Sequence, residues 1–484
     1  MGPARSYAER RLAGFVPFII EIPWREPEEA FRLLGSERWL TFLDSARPDP
    51  DDGRYSFLAA DPYRVLTVKD GKTHVDGEET DGSFFDLLKA EIDRFKAETV
   101  EGVPPFQGGA AGYFGYELGR VLEKVPRART DDMAAPEAAI GLYDVVLGFD
   151  LEEKLTFLIS TGAPETGKDR DMRSRRRAAE LLEKLDRPKE AKPSRAAGPL
   201  DWRSCFTPDE YRAAVRRVID YIYAGDIFQA NLTQRFLADV PRGLDPAALY
   251  LKLRERNPAP FAAYVGAGDT QVLSTSPERF LKLAHGAVET RPIKGTRRRA
   301  EDEEADAAIR AELLSSEKDR AENIMIVDLL RNDLSRVCRP GSVEVKDYCT
   351  LKSYETVHHL VSTVTGALED GRDAIDLLKA SFPGGSITGA PKIRAMEIIA
   401  ELEPVARGPY CGAIGYLSFD GAMDTNIVIR TMVIRGGKAA VQAGGGIVAD
   451  SDPEAEYQES LDKASALLGA CDEARRAASA EAAE

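Results

Sequence analysis

The segment Val288–Thr296 constrains the fold of this chain more than any other stretch. Its alternating pattern and β-branched side chains predict a β-strand, and Gly295 marks a turn or a close approach by another group. Lys294 lies inside this strand, where an ammonium group must be paired or lose its proton. A lysine that is held neutral is a nucleophile. The alternative is an ordinary strand-end lysine that reaches solvent.

The composition predicts a cytoplasmic protein with more than one domain. The 484 residues are 43% hydrophobic and 30% charged, as in ordinary globular proteins. The net charge of −16 argues against a nucleic-acid partner and against binding to an anionic membrane. The five cysteines are scattered and form no C-x-x-C pair, which indicates reduced thiols and no zinc site. No apolar run reaches the length of a membrane span, and the N-terminus lacks a signal-peptide core.

A polar, proline-containing stretch divides the chain. Thr207 and Glu210 form a capping box that starts the first helix after it. Before it, Tyr143–Asp150 and Leu155–Ile159 have the pattern of a β-hairpin. The predicted organisation is an N-terminal tail (1–14), a first domain (15–185), a linker (186–205), a second domain (206–470) and a C-terminal tail (471–484).

Two predicted helices carry carboxylates that could meet. Ser451–Glu454 is a strong helix start, and Glu456 and Glu459 then share one face beside an apolar stripe. Glu322 is predicted to open the other helix. Carboxylates from two helices suit a hard cation such as Mg²⁺, with substrate and water completing its shell. A solvated acidic face is the alternative.

Two glycine-rich segments and one arginine could bind anions. Gly384–Lys392 runs into an amphipathic helix, but it lacks the ending of a nucleotide-binding Walker loop. Gly444–Gly446 follows a predicted strand and could present backbone amides to a carboxylate. A tight turn is the alternative for each of the two segments. Arg430 is predicted on a strand, Thr425–Ile434, where its guanidinium fork would suit a carboxylate. Together these features favour a small substrate with two carboxylates.

Several segments, in one consistent order, resemble the chorismate-utilising enzymes. The similarity extends over about Phe206–Leu468, and more loosely over the first domain. It implies an α+β fold: a large antiparallel β-sheet sandwich flanked by helices, with two intertwined subdomains. The segments are Ser276–Glu278, Pro292–Thr296, Glu322–Asp333, Gly384–Lys392 and Ala443–Tyr457.

The residue at position 294 separates the activities within that family. Members that form anthranilate carry alanine there, whereas members that form aminodeoxychorismate carry lysine, as this chain does. The resemblance implies that Lys294 adds to carbon 2 of chorismate while Glu278 protonates the departing 4-hydroxyl. Ammonia then adds at carbon 4 and Lys294 leaves, giving 4-amino-4-deoxychorismate for p-aminobenzoate and folate synthesis. Cationic neighbours and burial are expected to keep Lys294 partly neutral.

The resemblance also implies the binding roles. Mg²⁺ on Glu322 and Glu459, with Glu456 close or acting through water, would hold the ring carboxylate. The enolpyruvyl carboxylate would be held by an arginine, a tyrosine and backbone amides, and the ring would be lined by a further set of residues. The first set is Tyr410, Arg430, Gly444, Gly445 and Gly446, the second is His359 and Ser386, and Gly295 and Thr296 are further substrate-binding candidates.

The nucleophile and its source are implied in the same way. Isochorismate- and salicylate-forming relatives carry a lysine where this chain has Gln229, and glutamine cannot activate water as that lysine does. Ammonia is therefore the expected nucleophile. The sequence has no Gly-x-Cys-x-Gly elbow, so a separate glutamine amidotransferase subunit is expected to supply it. The alternatives are an anthranilate synthase component I and a non-catalytic sensor of chorismate or tryptophan.

Three short segments, Leu43–Ser45, Arg54–Phe57 and Pro260–Ala262, resemble the segments that bind tryptophan in the family's first domain. Tryptophan is therefore a candidate ligand, although the apolar members of the set would fit a packed core equally well. The residues are Ser45, Arg54, Tyr55, Ser56, Phe57, Pro260, Phe261 and Ala262.

Overall fold

A computed structural model describes residues 15–47, 52–187, 200–354 and 357–470. The predicted tails, 1–14 and 471–484, lie outside the described residues, and so do positions 188–199 of the predicted linker. The boundaries drawn between the two domains stay a prediction.

Strands dominate the described part of the chain, and helices lie between groups of them. The strands are β1 (Phe18–Ile22), β2 (Thr41–Asp44), β3 (Tyr55–Ala59), β4 (Arg64–Lys69), β5 (Lys72–Val75), β6 (Glu78–Thr80), β7 (Gly109–Phe114), β8 (Ala138–Tyr143), β9 (Val145–Asp150), β10 (Leu155–Ser160), β11 (Arg203–Ser204), β12 (Gln229–Asp239), β13 (Phe261–Ala267), β14 (Thr270–Ser276), β15 (Arg279–Ala284), β16 (Ala287–Thr290), β17 (Ile293–Arg298), β18 (Glu344–Ser353), β19 (Val357–Ala367), β20 (Gly389–Ala390), β21 (Ala413–Ser418), β22 (Met423–Ile427), β23 (Thr431–Arg435) and β24 (Lys438–Ile447). The helices are α1 (Pro27–Leu34), α2 (Phe84–Arg94), α3 (Gly119–Leu122), α4 (Gly167–Asp186), α5 (Pro208–Tyr223), α6 (Pro246–Arg256), α7 (Glu303–Ser315), α8 (Glu317–Ser335), α9 (Ala374–Ser381), α10 (Lys392–Leu402) and α11 (Pro453–Gly469).

The strands form two large antiparallel sheets. The first runs β1-β10-β9-β3-β2-β13-β14-β23-β24-β12-β11, and β20 also pairs with β12. The second runs β17-β19-β16-β15-β22-β21-β7-β8-β4-β5-β6, and β18 also pairs with β19. Both sheets join strands from before and after the predicted linker, through β2 with β13 and through β7 with β21. The expected pair of intertwined subdomains in an α+β fold is therefore confirmed.

The sheets pack face to face, and helices cover their outer surfaces. In β13, Ala263 and Val265 join a core cluster with residues of the second sheet, whereas Tyr264 between them packs among the outer helices. This alternation follows from the two-residue period of a strand. The aromatic side chains of Phe106 and Tyr416 stack in the core between the sheets, with ring centroids 4.7 Å apart. Helices α1, α4, α6 and α11 pack on the first sheet, and α2, α8 and α9 on the second.

Some predictions about local structure are confirmed and others are wrong. The capping box of α5 and the hairpin of β9 and β10 are confirmed. Glu322 does not open its helix, because α8 begins at Glu317, where Ser316 accepts a hydrogen bond from the Asp319 amide. The strand predicted over 425–434 is interrupted, since Arg430 adopts a left-handed φ of 50°. Gly444–Gly446 does not follow a strand but lies within β24.

No helix in the four described ranges is both long and apolar enough to span a lipid bilayer.

Candidate active site

A cavity of about 960 Å³ contains every residue that was predicted to be catalytic, to bind substrate or to bind metal. Strands β17 and β24 and helices α8 and α11 supply most of its walls. The fold thus brings together residues that are far apart in sequence, while their chemical roles stay predictions.

A β-bulge aims Lys294 into this cavity. Ile293 pairs with Val361 and Thr296 with His359, so Lys294 and Gly295 together oppose a single residue of β19. Such an extra residue bends a strand and redirects a side chain. Gly295 has φ of 86°, a conformation that glycine adopts at little cost.

The amine of Lys294 is paired rather than free. Its Nζ lies 2.7 Å from Oε1 of Glu322 and 3.3 Å from the carbonyl oxygen of Ser386, and its side chain is 12% exposed. Burial lowers the pKa of Lys294, but the carboxylates of Glu322, Glu278 and Glu459 outweigh burial and leave the pKa above its usual value. The prediction of a partly neutral lysine is therefore wrong for this arrangement, because its neighbours are anions rather than cations.

Glu278 differs from Lys294, because its environment favours the uncharged form of the side chain. It lies between β14 and β15, and Ser276 fixes this turn by donating to the carbonyl of Ile427 and accepting from the Glu278 amide. Burial raises the pKa of Glu278 to about 7, against a hydrogen bond from Ser386 and the charge of Lys294. A carboxyl that keeps its proton near neutral pH can act as a general acid.

Glycines allow three carboxylates to approach the backbone of β24. A methyl group on Gly445 would lie 3.1 Å from an oxygen of Glu456 and 3.1 Å from one of Glu459. A methyl group on Gly446 would lie 2.5 Å from Oε1 of Glu322. Carboxylate oxygens are the ligands that Mg²⁺ prefers, so the donor chemistry fits that ion.

Each of these carboxylates is engaged by a lysine. Glu322 pairs with Lys294, while Glu459 pairs with Lys463 at 2.6 Å. Glu456 pairs with Lys318 at 3.5 Å, and burial raises the pKa of this carboxyl. In the part of the chain that the structure describes, no group of three or more His, Cys, Asp or Glu side chains is close enough to hold a metal ion in this arrangement. A cation would therefore have to replace ammonium partners.

The opposite wall is built to receive an anion. Arg430 keeps its left-handed conformation because its carbonyl accepts hydrogen bonds from the amide and hydroxyl of Thr275, at 3.1 and 3.0 Å. Burial lowers the pKa of this guanidinium. Strand β23 starts immediately afterwards and pairs with β24 only as far as Val441. The edge of β24 beyond that point has no β23 partner, so alternate amides of Gly444–Gly446 face away from β12 toward the cavity.

His359 and Thr296 form a neutral, polar part of the wall. The Thr296 hydroxyl and Nδ1 of His359 lie 2.8 Å apart and share a hydrogen bond. Burial, together with Arg430 and Arg47, lowers the pKa of His359 to about 3. The imidazole is therefore uncharged at neutral pH and can orient a substrate without adding charge.

Lys463 was not among the residues predicted for the site. It lines the cavity, pairs with Glu459 and donates to the Gly444 carbonyl at 3.0 Å. Its position four residues after Glu459 on a predicted helix was the available signal. Arg47 also lines the cavity, but nothing in its local sequence indicated this.

A second cavity, of about 330 Å³, lies between the two sheets. Seven of the eight residues proposed for tryptophan line it: Ser45, Arg54, Tyr55, Phe57, Pro260, Phe261 and Ala262. Ser56 does not line it; its buried hydroxyl accepts the Ser45 amide instead. Asp44 also borders this cavity, and its buried Oδ1 has no hydrogen-bond partner among the described residues.

Comparison with known proteins identifies the family. The chain matches the family described as chorismate binding enzyme over residues 42–469. Aminodeoxychorismate synthase component 1 of Salmonella typhimurium is 43% identical over 461 residues, which cover 93% of this chain and 98% of that protein. Anthranilate synthase component 1 of Thermus thermophilus is 42% identical over 448 residues, covering 92% and 95%. The solved structure of anthranilate synthase component I from Streptococcus pneumoniae TIGR4 is 35% identical, with a TM-score of 0.78 over 87% of this chain and 93% of that one. With a match that spans both sheets and includes the cavity just described, this chain belongs to the chorismate-binding enzymes and is a chorismate-utilising enzyme.

Proposed function

We propose that this chain is the chorismate-converting component of an aminodeoxychorismate synthase. It would convert chorismate and ammonia to 4-amino-4-deoxychorismate, on the route to p-aminobenzoate and folate. Relatives of nearly equal identity carry the names of both aminodeoxychorismate and anthranilate synthases, so overall identity does not choose between them. The observation that carries the proposal is the amine of Lys294, which points into the same cavity as Glu278, a carboxyl whose pKa burial raises to about 7.

Lys294 would act as the nucleophile. Its Nζ forms a bond to carbon 2 of chorismate as the bond between carbon 4 and its hydroxyl breaks, and the Glu278 proton leaves with the hydroxyl as water. Ammonia then forms a bond to carbon 4, the bond between carbon 2 and Nζ breaks, and the lysine is restored. Covalent addition replaces one difficult substitution by two allylic displacements.

This chemistry requires Lys294 to lose its proton. In the present arrangement the Glu322 carboxylate, 2.7 Å away, favours the charged amine. Once Glu322 is engaged elsewhere, it pairs less strongly with Lys294, and burial then dominates and lowers the pKa of the amine. Glu322 would therefore control when Lys294 becomes reactive.

We propose that Glu322 and Glu459 hold Mg²⁺, with Glu456 close by or acting through water. The support is the carboxylate donor set beside Gly445 and Gly446. Bound there, Mg²⁺ would act as a Lewis acid that neutralises the ring carboxylate of the substrate. Lys294 and Lys463 would release their carboxylate partners when the ion binds.

The remaining walls would hold the rest of chorismate. Arg430, Tyr410 and the amides of Gly444–Gly446 suit the enolpyruvyl carboxylate, because a guanidinium fork and backbone amides both donate to carboxylate oxygens. Neutral side chains would line the ring. These are Thr296 and His359 beside Gly295, together with Ser386, whose hydroxyl is bonded to Glu278.

Ammonia is the proposed nucleophile, delivered by a separate glutamine amidotransferase subunit in the cytoplasm. Gln229 donates its amide to Glu322 at 2.7 Å and has no basic group with which to activate water. The relatives' names include "component 1", which fits a two-subunit enzyme.

Product analysis tests the proposal. The purified chain is incubated with chorismate, magnesium and excess ammonium salt, and the products are separated and weighed by mass spectrometry. A product that keeps the enolpyruvyl group and gains an amine is expected. Anthranilate with released pyruvate would refute the proposal in favour of anthranilate synthase. Absence of turnover, even with an active glutaminase subunit, would favour a sensor.

We also propose tryptophan as the ligand of the second cavity. Its indole would occupy the apolar region around Phe57. Calorimetric titration with tryptophan is expected to show saturable binding that Ala263→Leu, whose side chain points between the sheets into the cavity, removes. Equal binding by both proteins would place tryptophan elsewhere.

A further inference from the structure

A buried ion pair stands behind the wall of the catalytic cavity. Arg407 donates from Nη2 to Oε1 of Glu403 at 2.7 Å and from Nε to Oε2 at 2.9 Å. The two side chains are 1% and 4% exposed. Neither residue lines the cavity, so the pair does not touch a molecule bound there.

Stability alone does not account for this pair. Two charges taken out of water lose hydration that their attraction only partly restores, and apolar replacements of such pairs are often neutral or stabilising. Arg407 is nevertheless bonded on every side: its guanidinium lies 4.6 Å from the centre of the Tyr116 ring, and its backbone amide donates to Glu117. The backbone segments whose positions this buried pair fixes provide a better explanation.

The guanidinium holds two cavity walls through backbone carbonyls. Its Nη1 donates to the carbonyl of Ile387 at 2.9 Å, and Nη2 donates to that of Asn231 at 2.6 Å. Ile387 follows Ser386, which contacts both Lys294 and Glu278. The fork of Arg407 therefore sets the turn that carries these contacts.

The second wall is the pair of strands β12 and β24. Asn231 is opposite Gly446, and Thr233 is opposite Gly444. The Glu403 carboxylate accepts both the amide and the hydroxyl of Thr233, each at 2.9 Å. The ion pair thus fixes the strand that bears the glycine run at the same time as it fixes the Ser386 turn.

Arg407 also contacts the cavity wall through its backbone carbonyl, which anchors the segment that follows it. Gln442 of β24 lines the cavity and donates to the Arg407 carbonyl at 2.8 Å. Tyr410, which lines the anion side, lies three residues further along the chain. Three separate parts of the cavity wall therefore share one buried support.

We propose that Arg407 and Glu403 are positioning residues for chorismate conversion, which hold the Ser386 turn and the glycine strand in register with Lys294 and Glu278. The inference rests on the proposed function in that Lys294 and Glu278 are taken as the reacting groups. It requires the planar fork of arginine, because a lysine at position 407 would keep the charge but could not reach both carbonyls while pairing with Glu403.

The test compares Arg407→Lys with Arg394→Lys. Arg394 lies on α10, the helix that ends just before Glu403, and its ion pairs with Asp226 and Glu397 are partly exposed. Misplacement of reacting groups by about 1 Å can cost about a hundredfold in rate. Arg407→Lys is therefore expected to lower kcat for chorismate consumption by about tenfold to a hundredfold, with the KM for chorismate changed much less. Arg394→Lys is expected to behave as the wild-type chain.

A double variant separates positioning from folding. Glu403→Leu combined with Arg407→Met replaces the pair by apolar side chains and leaves the carbonyls of Ile387 and Asn231 and the amide of Thr233 without these partners, so the Tm should fall. Measured well below that Tm, where the variant is fully folded, kcat should fall as in Arg407→Lys. Either variant, folded and with wild-type kcat, would overturn the inference. So would activity that is lost only at temperatures at which the variants unfold. Following chorismate loss separately from product identity distinguishes this result from failure of the proposed function, which an anthranilate product would reveal.

Discussion

Gly446→Ala is the substitution whose effect the structure defines most sharply. Gly446 needs no left-handed backbone, so alanine is not excluded by conformation. Its methyl group would lie 2.1 Å from Nε2 of Gln229 and 2.5 Å from Oε1 of Glu322. Ordinary contacts between such atoms begin near about 3.5 Å, so the Gln229 amide must retreat by about 1.4 Å and the Glu322 carboxylate by about 1 Å. Both are ends of flexible side chains, and the backbone can therefore stay in place.

The retreat moves Glu322, a proposed ligand of Mg²⁺, out of its place beside β24. Glu322 lies 2.7 Å from both Gln229 and Lys294, and a shift of about 1 Å removes these hydrogen bonds. A displacement of that size costs about a hundredfold in kcat/KM, or about 2.7 kcal/mol of transition-state stabilisation. The lost hydrogen bonds contribute only about 1 kcal/mol each to folding, so the Tm should fall by a few degrees at most.

Gly444→Ala provides the matched control on the same strand. Its methyl group would meet backbone atoms, the Leu232 carbonyl oxygen at 2.0 Å and the Thr233 Cα at 2.6 Å, so β12 and β24 would have to separate. We expect Gly444→Ala to lower the Tm more than Gly446→Ala does. Chorismate consumption and thermal unfolding, measured on both variants, distinguish the two effects. Wild-type kcat/KM in Gly446→Ala would refute the reasoning, as would equal losses of Tm in both variants.

Three further predictions concern the reacting groups and the metal. Lys294→Ala should abolish formation of the amino product while chorismate still binds, as measured by product analysis and calorimetry; wild-type rates would remove the covalent mechanism. Glu278 must carry its proton and Lys294 must lose its own, so kcat/KM should be flat between the pKa of about 7 for Glu278 and the raised pKa of Lys294, because the two ionisations cancel. Glu278→Gln removes one of them, and its low residual kcat/KM should rise tenfold per pH unit over the same range. A flat profile in Glu278→Gln would assign the titration to another group. Glu459→Gln loses one charged ligand and should require more magnesium for half-maximal activity, whereas an unchanged magnesium titration would place the ion elsewhere.

Local features of the chain could be predicted because neighbouring residues determine them. The cap of α5 depends on Thr207 and Glu210, three positions apart, and the start of α11 depends on Asp452 and the proline that follows it. The same holds for the hairpin of β9 and β10, whose partner residues are close in sequence. The sequence also determined which residues would be gathered in the catalytic cavity, because several motifs in one order identify the family.

Only the tertiary structure decided how those residues are oriented and charged. The bulge at Lys294 depends on its register with β19, and the left-handed Arg430 depends on Thr275, 155 residues earlier. The charge of Lys294 depends on Glu322, a carboxylate 28 residues away that local sequence does not pair with it. Pairing, burial and register arise when distant segments meet, and a pKa or a bulge responds to those contacts rather than to neighbours in the chain. The sequence by itself therefore determined the set of groups in this enzyme, and the fold decided their geometry and their protons.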